Sequence, residues 1–179
     1  MIKKVEGEMN GTKEMSKKHF IDSSILSEYL EKNIPEFSGP LKIEEFIGGQ
    51  SNPTYLLKTE NSSYVLRRKP PGVLLKTAHA VDREFEVISA LNKTNVPVPK
   101  AYIHCEDESL IGTEFFVMEY IDGTVIWDSH IPHGTEKDRF EIYSSMNETM
   151  ANLHSVDPFK VGLETVSYTH LRAHETELH

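Results

Sequence analysis

Two proline-containing breaks constrain the fold most, because they isolate one helical segment between two groups of strand-like runs. Pro70-Pro71-Gly72 cannot continue a strand, and Val96-Pro97-Val98-Pro99 is held extended, since each proline fixes its own φ and restricts the residue before it. Between these breaks, residues 78–92 carry apolar side chains at helical spacing. This order predicts an α+β fold in which an antiparallel sheet contains one inserted helix, rather than an alternating βαβ fold.

Short β-prone runs lie on both sides of the inserted helix. Residues 41–46, 54–59 and 64–68 precede it, and residues 100–104 and 114–121 follow it. The runs at 54–59 and 64–68 are separated by a polar tetrapeptide that is typical of a hairpin turn.

One further helix is predicted at each end of this region. The first begins after Asp22 and ends before Pro35. The second runs from Thr135 to about His154, and Asp138 gives its start the pattern of a capping box.

Composition excludes several classes of protein. The chain has 179 residues, with 19 basic and 28 acidic side chains and a net charge of -9, which argues against a nucleic-acid partner. No apolar run reaches the roughly 18 residues that a membrane span needs. Cys105 is the single cysteine, so an internal disulfide is excluded and a reducing compartment is favoured.

A glycine pair marks the turn between the first two strand-like runs. In Gly48-Gly49-Gln50-Ser51-Asn52 the glycines allow the backbone to approach a ligand closely, while Ser51 and Asn52 offer donors to anionic oxygens. The segment lacks the GK[ST] of a Walker A loop and the G-x-G-x-x-G of a dinucleotide fold. By itself it indicates either an ordinary tight hairpin or a phosphate-binding turn.

One arginine and one glutamate are predicted to form an ion pair. Strand alternation gives Arg67 the same face as Val65. In the inserted helix, Glu84 lies three residues after Val81 and four before Ile88, within the apolar stripe. A carboxylate that faces a core needs a cationic partner, and Arg67 on the preceding strand is the candidate. The alternative is that Glu84 reaches solvent at the edge of the stripe.

Four motifs carry a family resemblance. They are Phe46-Ile-Gly-Gly-Gln-Ser-Asn-Pro-Thr-Tyr55, Tyr64-Val-Leu-Arg-Arg-Lys-Pro-Pro-Gly72, Ala78-His-Ala-Val-Asp-Arg-Glu84 and Phe116-Val-Met-Glu-Tyr-Ile-Asp-Gly123. With them, residues 40–164 resemble the aminoglycoside phosphotransferase/choline-kinase-like family, and in particular the kinase-like domain that is fused to acyl-CoA dehydrogenases. The resemblance implies a protein-kinase-like N-lobe followed by the first helix of a truncated C-lobe.

The resemblance also implies a set of site residues in the glycine turn, the ion pair and the last strand. They are Gly48, Gly49, Gln50, Ser51, Asn52, Arg67, Glu84, Met118, Glu119 and Ile121. The turn would cover the nucleotide phosphates, and Arg67 would contact them with Glu84 as its partner on the helix. Met118 would line the back of the adenine pocket, and Glu119 to Ile121 would be the hinge whose backbone groups bind the base. The implied cofactors are ATP and magnesium.

The residues that carry the family's chemistry are not found in this sequence. The family has a catalytic aspartate in a His-Gly-Asp loop and magnesium ligands after it, whereas the similar triplet His133-Gly134-Thr135 lacks the acid. We therefore assign no catalytic residue and no metal ligand in this chain.

We predict an N-terminal, nucleotide-binding fragment of an ATP-dependent phosphotransferase whose complete form acts on a small-molecule hydroxyl substrate. One alternative is a non-catalytic kinase-like binding or interaction module beside an acyl-CoA dehydrogenase. Another is a truncated transcript without a function of its own. The expected location is intracellular; the resemblance suggests mitochondria or peroxisomes and leaves the compartment open.

The predicted organisation has four parts: a flexible leader (1–20), the N-lobe (21–124), the start of the C-lobe (125–165) and a non-native tail (166–179). The tail resembles a translated adaptor sequence. His170 and His174 within it have the i, i+4 spacing of a metal-binding pair, but without the Glu of H-E-x-x-H this metal signal is weak.

Overall fold

The computed structural model describes residues 11–15, 20–47, 52–72, 80–126, 128–132 and 134–163. The elements in these ranges are β1 (Thr12–Lys13), α1 (Ser23–Asn33), β2 (Lys42–Phe46), β3 (Thr54–Lys58), β4 (Ser63–Arg68), α2 (Val81–Leu91), β5 (Ala101–Cys105), β6 (Phe115–Glu119) and α3 (Glu136–His154). The predicted α+β class is confirmed, because α2 lies between β4 and β5 in the chain while all strands share one antiparallel sheet.

The sheet has the strand order β1-β2-β3-β4-β6-β5, and every neighbouring pair is antiparallel. The turn between β3 and β4 is closed by Thr59, whose N–H donates to the carbonyl of Ser62 at 2.9 Å, so the predicted hairpin is present. β1 pairs with β2, with Thr12 opposite Phe46. It lies within the predicted flexible leader, where two residues are too few for strand alternation to be visible in the sequence.

One face of the sheet is covered by α1. Asp22 caps this helix, and its Oδ1 accepts hydrogen bonds from the N–H groups of Ser24 at 2.9 Å and Ile25 at 3.3 Å. Leu26 and Leu30 are completely buried. The core cluster consists of side chains from α1, its flanks and one face of the strands: Ile21, Leu26, Leu30, Ile34, Phe37, Tyr55, Leu57, Tyr64, Leu66, Cys105, Ile111, Phe115 and Val117. Side chains that alternate with these strand residues therefore form the other face.

The start of α3 has the predicted capping box. Thr135 Oγ1 accepts a hydrogen bond from the N–H of Asp138 at 3.1 Å, and Asp138 Oδ2 accepts one from the N–H of Thr135 at 2.8 Å. The two bonds satisfy donors that a helix start otherwise leaves without partners. No described helix is long and apolar enough to cross a membrane.

The chain divides into two compact units. The sheet unit consists of Val5–Phe85 and Pro99–Gly123, and the helical unit consists of Met1–Lys4, Glu86–Val98 and Thr124–His179. The boundary falls within α2, between Phe85 and Glu86. The predicted site residues that the structure describes, Asn52, Arg67, Glu84, Met118, Glu119 and Ile121, all belong to the sheet unit.

Candidate functional site

A row of directly opposed residues crosses the sheet on the face away from α1. Thr54 is opposite Arg67, Arg67 is opposite Phe116, and Phe116 is opposite His104. Opposed residues of antiparallel strands point to the same side of the sheet, so these four side chains are neighbours. We call them the cross-strand row.

The predicted ion pair between Arg67 and Glu84 is present. Arg67 Nε lies 2.6 Å from Glu84 Oε2, and Arg67 Nη2 donates to Glu84 Oε1 at 3.4 Å. The two side chains are 31% and 36% exposed. Glu84 therefore lies at the edge of the helix stripe and faces the core less than predicted, and water contact spares the pair the full cost of desolvation.

Two residues at the end of the glycine turn bind this pair. Asn52 is buried, and its Nδ2 donates to Glu84 Oε1 at 3.1 Å. Thr54 Oγ1 accepts from Arg67 Nη1 at 3.3 Å and donates to the carbonyl of Asn52 at 3.1 Å. The end of the turn is thus attached to both partners of the ion pair. Gly48 to Ser51, which complete the predicted turn, lie outside the described residues.

Thr54 is a site residue that the sequence prediction missed. Thr54 is the first residue of β3, and the residues next to it in the sequence do not indicate a contact with Arg67. The signal that identifies it is the strand register, which sets Thr54 opposite Arg67. Register depends on the pairing of two strands and is not contained in either one alone.

A second row of opposed residues is apolar, and its member on β4 lies two residues before Arg67. It contains Leu56, Val65 and Met118. Leu56 and Val65 are buried and Met118 is half-buried. The face of the sheet therefore joins an apolar surface to a polar cluster around Arg67.

The predicted hinge residues begin at the end of β6. The N–H of Glu119 donates to the carbonyl of Lys100 at 2.8 Å, and its Oε2 accepts from the N–H of Lys100 at 3.0 Å. Ile121 is 59% exposed and follows the strand. Because the N–H of Glu119 is already bonded to Lys100, the residue before β5, a base at this position would have to be bound by the carbonyl of Glu119 and by the backbone groups of residues 120 and 121.

Metal ligands were also sought in the part of the chain that the structure describes. No group of three or more histidine, cysteine, aspartate or glutamate side chains there could hold a metal ion. His170 and His174 lie outside that part.

A separate polar cleft of about 410 Å³ belongs to the helical unit. Two of its hydroxyl groups are engaged locally: Thr94 Oγ1 donates to the carbonyl of Leu91 at 2.7 Å, and Ser155 Oγ donates to the carbonyl of Asn152 at 2.7 Å. Because these donors are already used, we prefer the Arg67–Glu84 region as the candidate site.

Comparison with known families decides the assignment. Residues 42–177 match the phosphotransferase enzyme family APH. The chain belongs to this family. The matched range runs into residues 166–177, which the sequence analysis assigns to a non-native tail; these residues lie outside the described ranges.

Several relatives of this phosphotransferase-family chain have names that refer to a dehydrogenase. It is 43% identical over 157 residues to acyl-CoA dehydrogenase family member 11 of Rattus norvegicus and 42% identical over 155 residues to the protein of the same name in Homo sapiens. It is 42% identical over 154 residues to a protein named Probable acyl-CoA dehydrogenase IBR3 in Arabidopsis thaliana. These alignments cover 86%, 84% and 82% of this chain, but only 20%, 20% and 19% of the relatives.

A solved structure shows the same fold. It is the crystal structure of a protein proposed to be an aminoglycoside phosphotransferase from Ralstonia eutropha JMP134, with a TM-score of 0.71 and 40% sequence identity. The match covers 82% of this chain and 42% of the solved one. The phosphotransferase-family fold predicted from the sequence motifs is thereby confirmed.

Proposed function

We propose that this chain is the nucleotide-binding part of an ATP-dependent phosphotransferase that acts on a small-molecule hydroxyl substrate. The observation that carries the proposal is the ion pair between Arg67 and Glu84, with Nε and Oε2 2.6 Å apart, beside an apolar row on the same face of the sheet. Membership of the phosphotransferase family supports the same function.

The guanidinium of Arg67 is suited to contact phosphate. An arginine side chain has five N–H donors; Thr54 uses one on Nη1 and Glu84 uses one on Nη2, while Nε is buried 2.6 Å from Glu84 Oε2 and is not available to a ligand. Two donors are left for phosphate oxygens, and the planar group can present them in a fixed direction. In this role Glu84 orients the guanidinium, and Asn52 holds the glutamate in place.

The apolar row is suited to the base of the nucleotide. Leu56, Val65 and Met118 are adjacent on neighbouring strands, and Val65 lies two residues before Arg67 on β4. An apolar surface beside a few directed polar groups is the usual composition of a cofactor site. We assign the base to this surface and to the backbone after Met118, and the phosphates to Arg67 and to the turn that ends at Asn52.

The metal and the transfer step are not assigned to described residues. Magnesium is implied by the family, but the described side chains do not form a metal site. The function proposed for this chain is therefore nucleotide binding and orientation of the phosphates, and the transfer chemistry would need groups other than those described.

A binding titration tests the proposal. The 179-residue chain is titrated with a fluorescent ATP analogue, with and without magnesium, and competition by ATP confirms the site. Arg67→Ala should weaken binding about tenfold or more, because it removes charge-assisted hydrogen bonds. Lys137→Ala, which removes an exposed cation of α3, is the control and should bind like the unmodified chain. Absence of saturable binding, or equal binding by Arg67→Ala, would contradict the proposal.

A transfer assay separates this function from the alternative of a non-catalytic module beside an acyl-CoA dehydrogenase. The chain spans about a fifth of the length of the curated relatives it matches. The assay therefore uses a full-length relative with ATP and a panel of small hydroxyl compounds. Phosphorylated product supports the phosphotransferase, whereas nucleotide binding without product supports the module.

We also propose a mitochondrial or peroxisomal location, which rests on the likeness to proteins of the acyl-CoA dehydrogenase family. A fluorescent fusion of a full-length relative, imaged with markers for both organelles, tests it. Diffuse fluorescence outside both organelles would contradict this location.

A further inference from the structure

We propose that His104 and Glu114 are positioning residues for the Arg67–Glu84 pair. They hold Phe85, the residue next to Glu84, against the cross-strand row, and so determine where the Glu84 carboxylate meets Arg67. The meaning of this role for nucleotide binding rests on the function proposed above, but the role itself is a property of the sheet unit.

The contact between Phe85 and His104 carries the inference. The two rings stack with centroids 5.4 Å apart and an interplanar angle of 25°, and the Phe85 ring also lies 6.0 Å from that of Phe116. Phe116 and His104 are neighbours in the cross-strand row, and Arg67 is the next member. Two successive residues of α2 therefore contact consecutive positions of one row: Glu84 contacts Arg67, and Phe85 contacts Phe116 and His104.

Glu114 determines the orientation of the His104 ring. His104 Nε2 lies 2.8 Å from Glu114 Oε1, and the carboxylate oxygen accepts its hydrogen bond. The two side chains are 16% and 13% exposed, so solvent competes little for this bond. An oriented ring offers Phe85 one stacking position, whereas a freely rotating ring would offer several.

Lys69 connects this cluster back to the strand of Arg67. The Lys69 ammonium forms an ion pair with Glu114, and the N–H of Lys69 donates to the carbonyl of Glu114 at 3.0 Å. The contacts therefore form a closed chain. Arg67 pairs with Glu84, and the next residue, Phe85, stacks on His104. His104 bonds to Glu114, and Glu114 pairs with Lys69, which is two residues after Arg67. A displacement of Glu84 and Phe85 along the row would have to break at least one of these contacts.

The test observes Arg67 directly. In the 15N-labelled 179-residue chain, the Arg67 Nε–Hε resonance is identified as the signal that Arg67→Lys removes. The chemical shift of this resonance in Glu84→Gln serves as the reference for an Arg67 side chain without a charged partner. His104→Phe keeps an aromatic ring against Phe85 but removes the bond to Glu114. Glu114→Gln removes the charge and keeps the size of the side chain. His130→Phe, at an exposed histidine of the helical unit, is the matched control.

We expect the resonance to move toward its Glu84→Gln position in His104→Phe and Glu114→Gln, but not in His130→Phe. Circular dichroism confirms that each variant is folded. An unchanged Arg67 signal in folded His104→Phe and Glu114→Gln would overturn the positioning role.

A second measurement tests the link to nucleotide binding. The affinity for the fluorescent ATP analogue should fall about three- to tenfold in His104→Phe. If the unmodified chain binds no nucleotide, the proposed function fails, while the Arg67 resonance still decides the positioning role. If the chain binds nucleotide and the resonance does not respond, only the positioning role fails.

Discussion

Arg67 and His104 lie in one cross-strand row of the sheet, with Phe116 between them. Arg67 contacts Glu84 of α2, and His104 stacks on Phe85, the next residue of that helix. Two neighbouring residues of α2 therefore contact two positions of the same cross-strand row. The geometry of the candidate phosphate site depends on the register of β4, β5 and β6 as well as on the residues that touch a ligand.

The Arg67–Glu84 pair should contribute modestly to stability. A double-mutant cycle with Arg67→Met and Glu84→Gln should give a coupling free energy of about 1 kcal/mol, because both side chains are partly exposed and screened by water. Urea unfolding of the four proteins measures it. The exposed pair of Lys137 and Glu141 on α3 is the control and should couple by about 0.3 kcal/mol. A coupling of zero between Arg67 and Glu84 would contradict the pairing.

Removal of a core side chain from α1 should have a large effect. Leu30 is completely buried, so Leu30→Ala should lower the free energy of unfolding by about 3 kcal/mol through lost burial and the cavity left behind. Ile25 on the same helix is 47% exposed, and Ile25→Ala should cost less than about 1 kcal/mol. Urea denaturation compares the two variants. Equal losses would show that α1 does not cover the sheet as described.

Glu44 should give stability a dependence on acid pH. Hydrogen bonds from Lys42, Thr12 and Lys58, in that order of importance, lower the pKa of Glu44 from 4.5 to about 2. Because the pKa is lower in the folded state, the stabilisation is complete above the unfolded pKa and disappears as the pH falls toward 2.

The variant Glu44→Gln isolates this effect. It should be less stable than the unmodified chain by about 1 kcal/mol at pH 7, a value limited by the solvent exposure of both lysines, and the difference should shrink below about pH 4. Urea unfolding at pH 7 and pH 3 measures it. Glu28→Gln on the exposed surface of α1 is the control and should change stability equally little at both pH values. A difference for Glu44→Gln that persists unchanged at pH 3 would be inconsistent with the lowered pKa.

The cap of α3 should be needed for the first turn of that helix. Thr135→Ala removes the hydroxyl that accepts from the N–H of Asp138 and should cost about 1 kcal/mol. Amide hydrogen exchange in the first turn should become faster. Ser144→Ala, at an exposed position inside the same helix, is the control and should not speed exchange there, because alanine is the better helix former. Unchanged exchange in Thr135→Ala would contradict a stabilising cap.

Local patterns predicted much of the fold. The caps at Asp22 and Thr135 and the hairpin turn predicted at residues 60–63 depend on neighbouring residues; the structure contains both caps and the hairpin, whose turn lies one residue earlier, at residues 59–62. The ion pair was also predictable, because Glu84 interrupts an apolar helix stripe and Arg67 is a cation on the preceding strand. β1 was not predicted, since a two-residue strand is defined by its partner and not by its own sequence.

The sequence by itself determined which segments other than β1 become helices and strands, which carboxylate needs a cation, and to which family the motifs belong, because these depend on spacing within short stretches. Only the tertiary structure decided that Thr54, Phe116 and His104 share a row with Arg67, and that Glu114 connects His104 to Lys69. The physical reason is strand register. A shift of one residue reverses the face of every side chain in a strand, and the pairing that prevents it forms between segments distant in sequence.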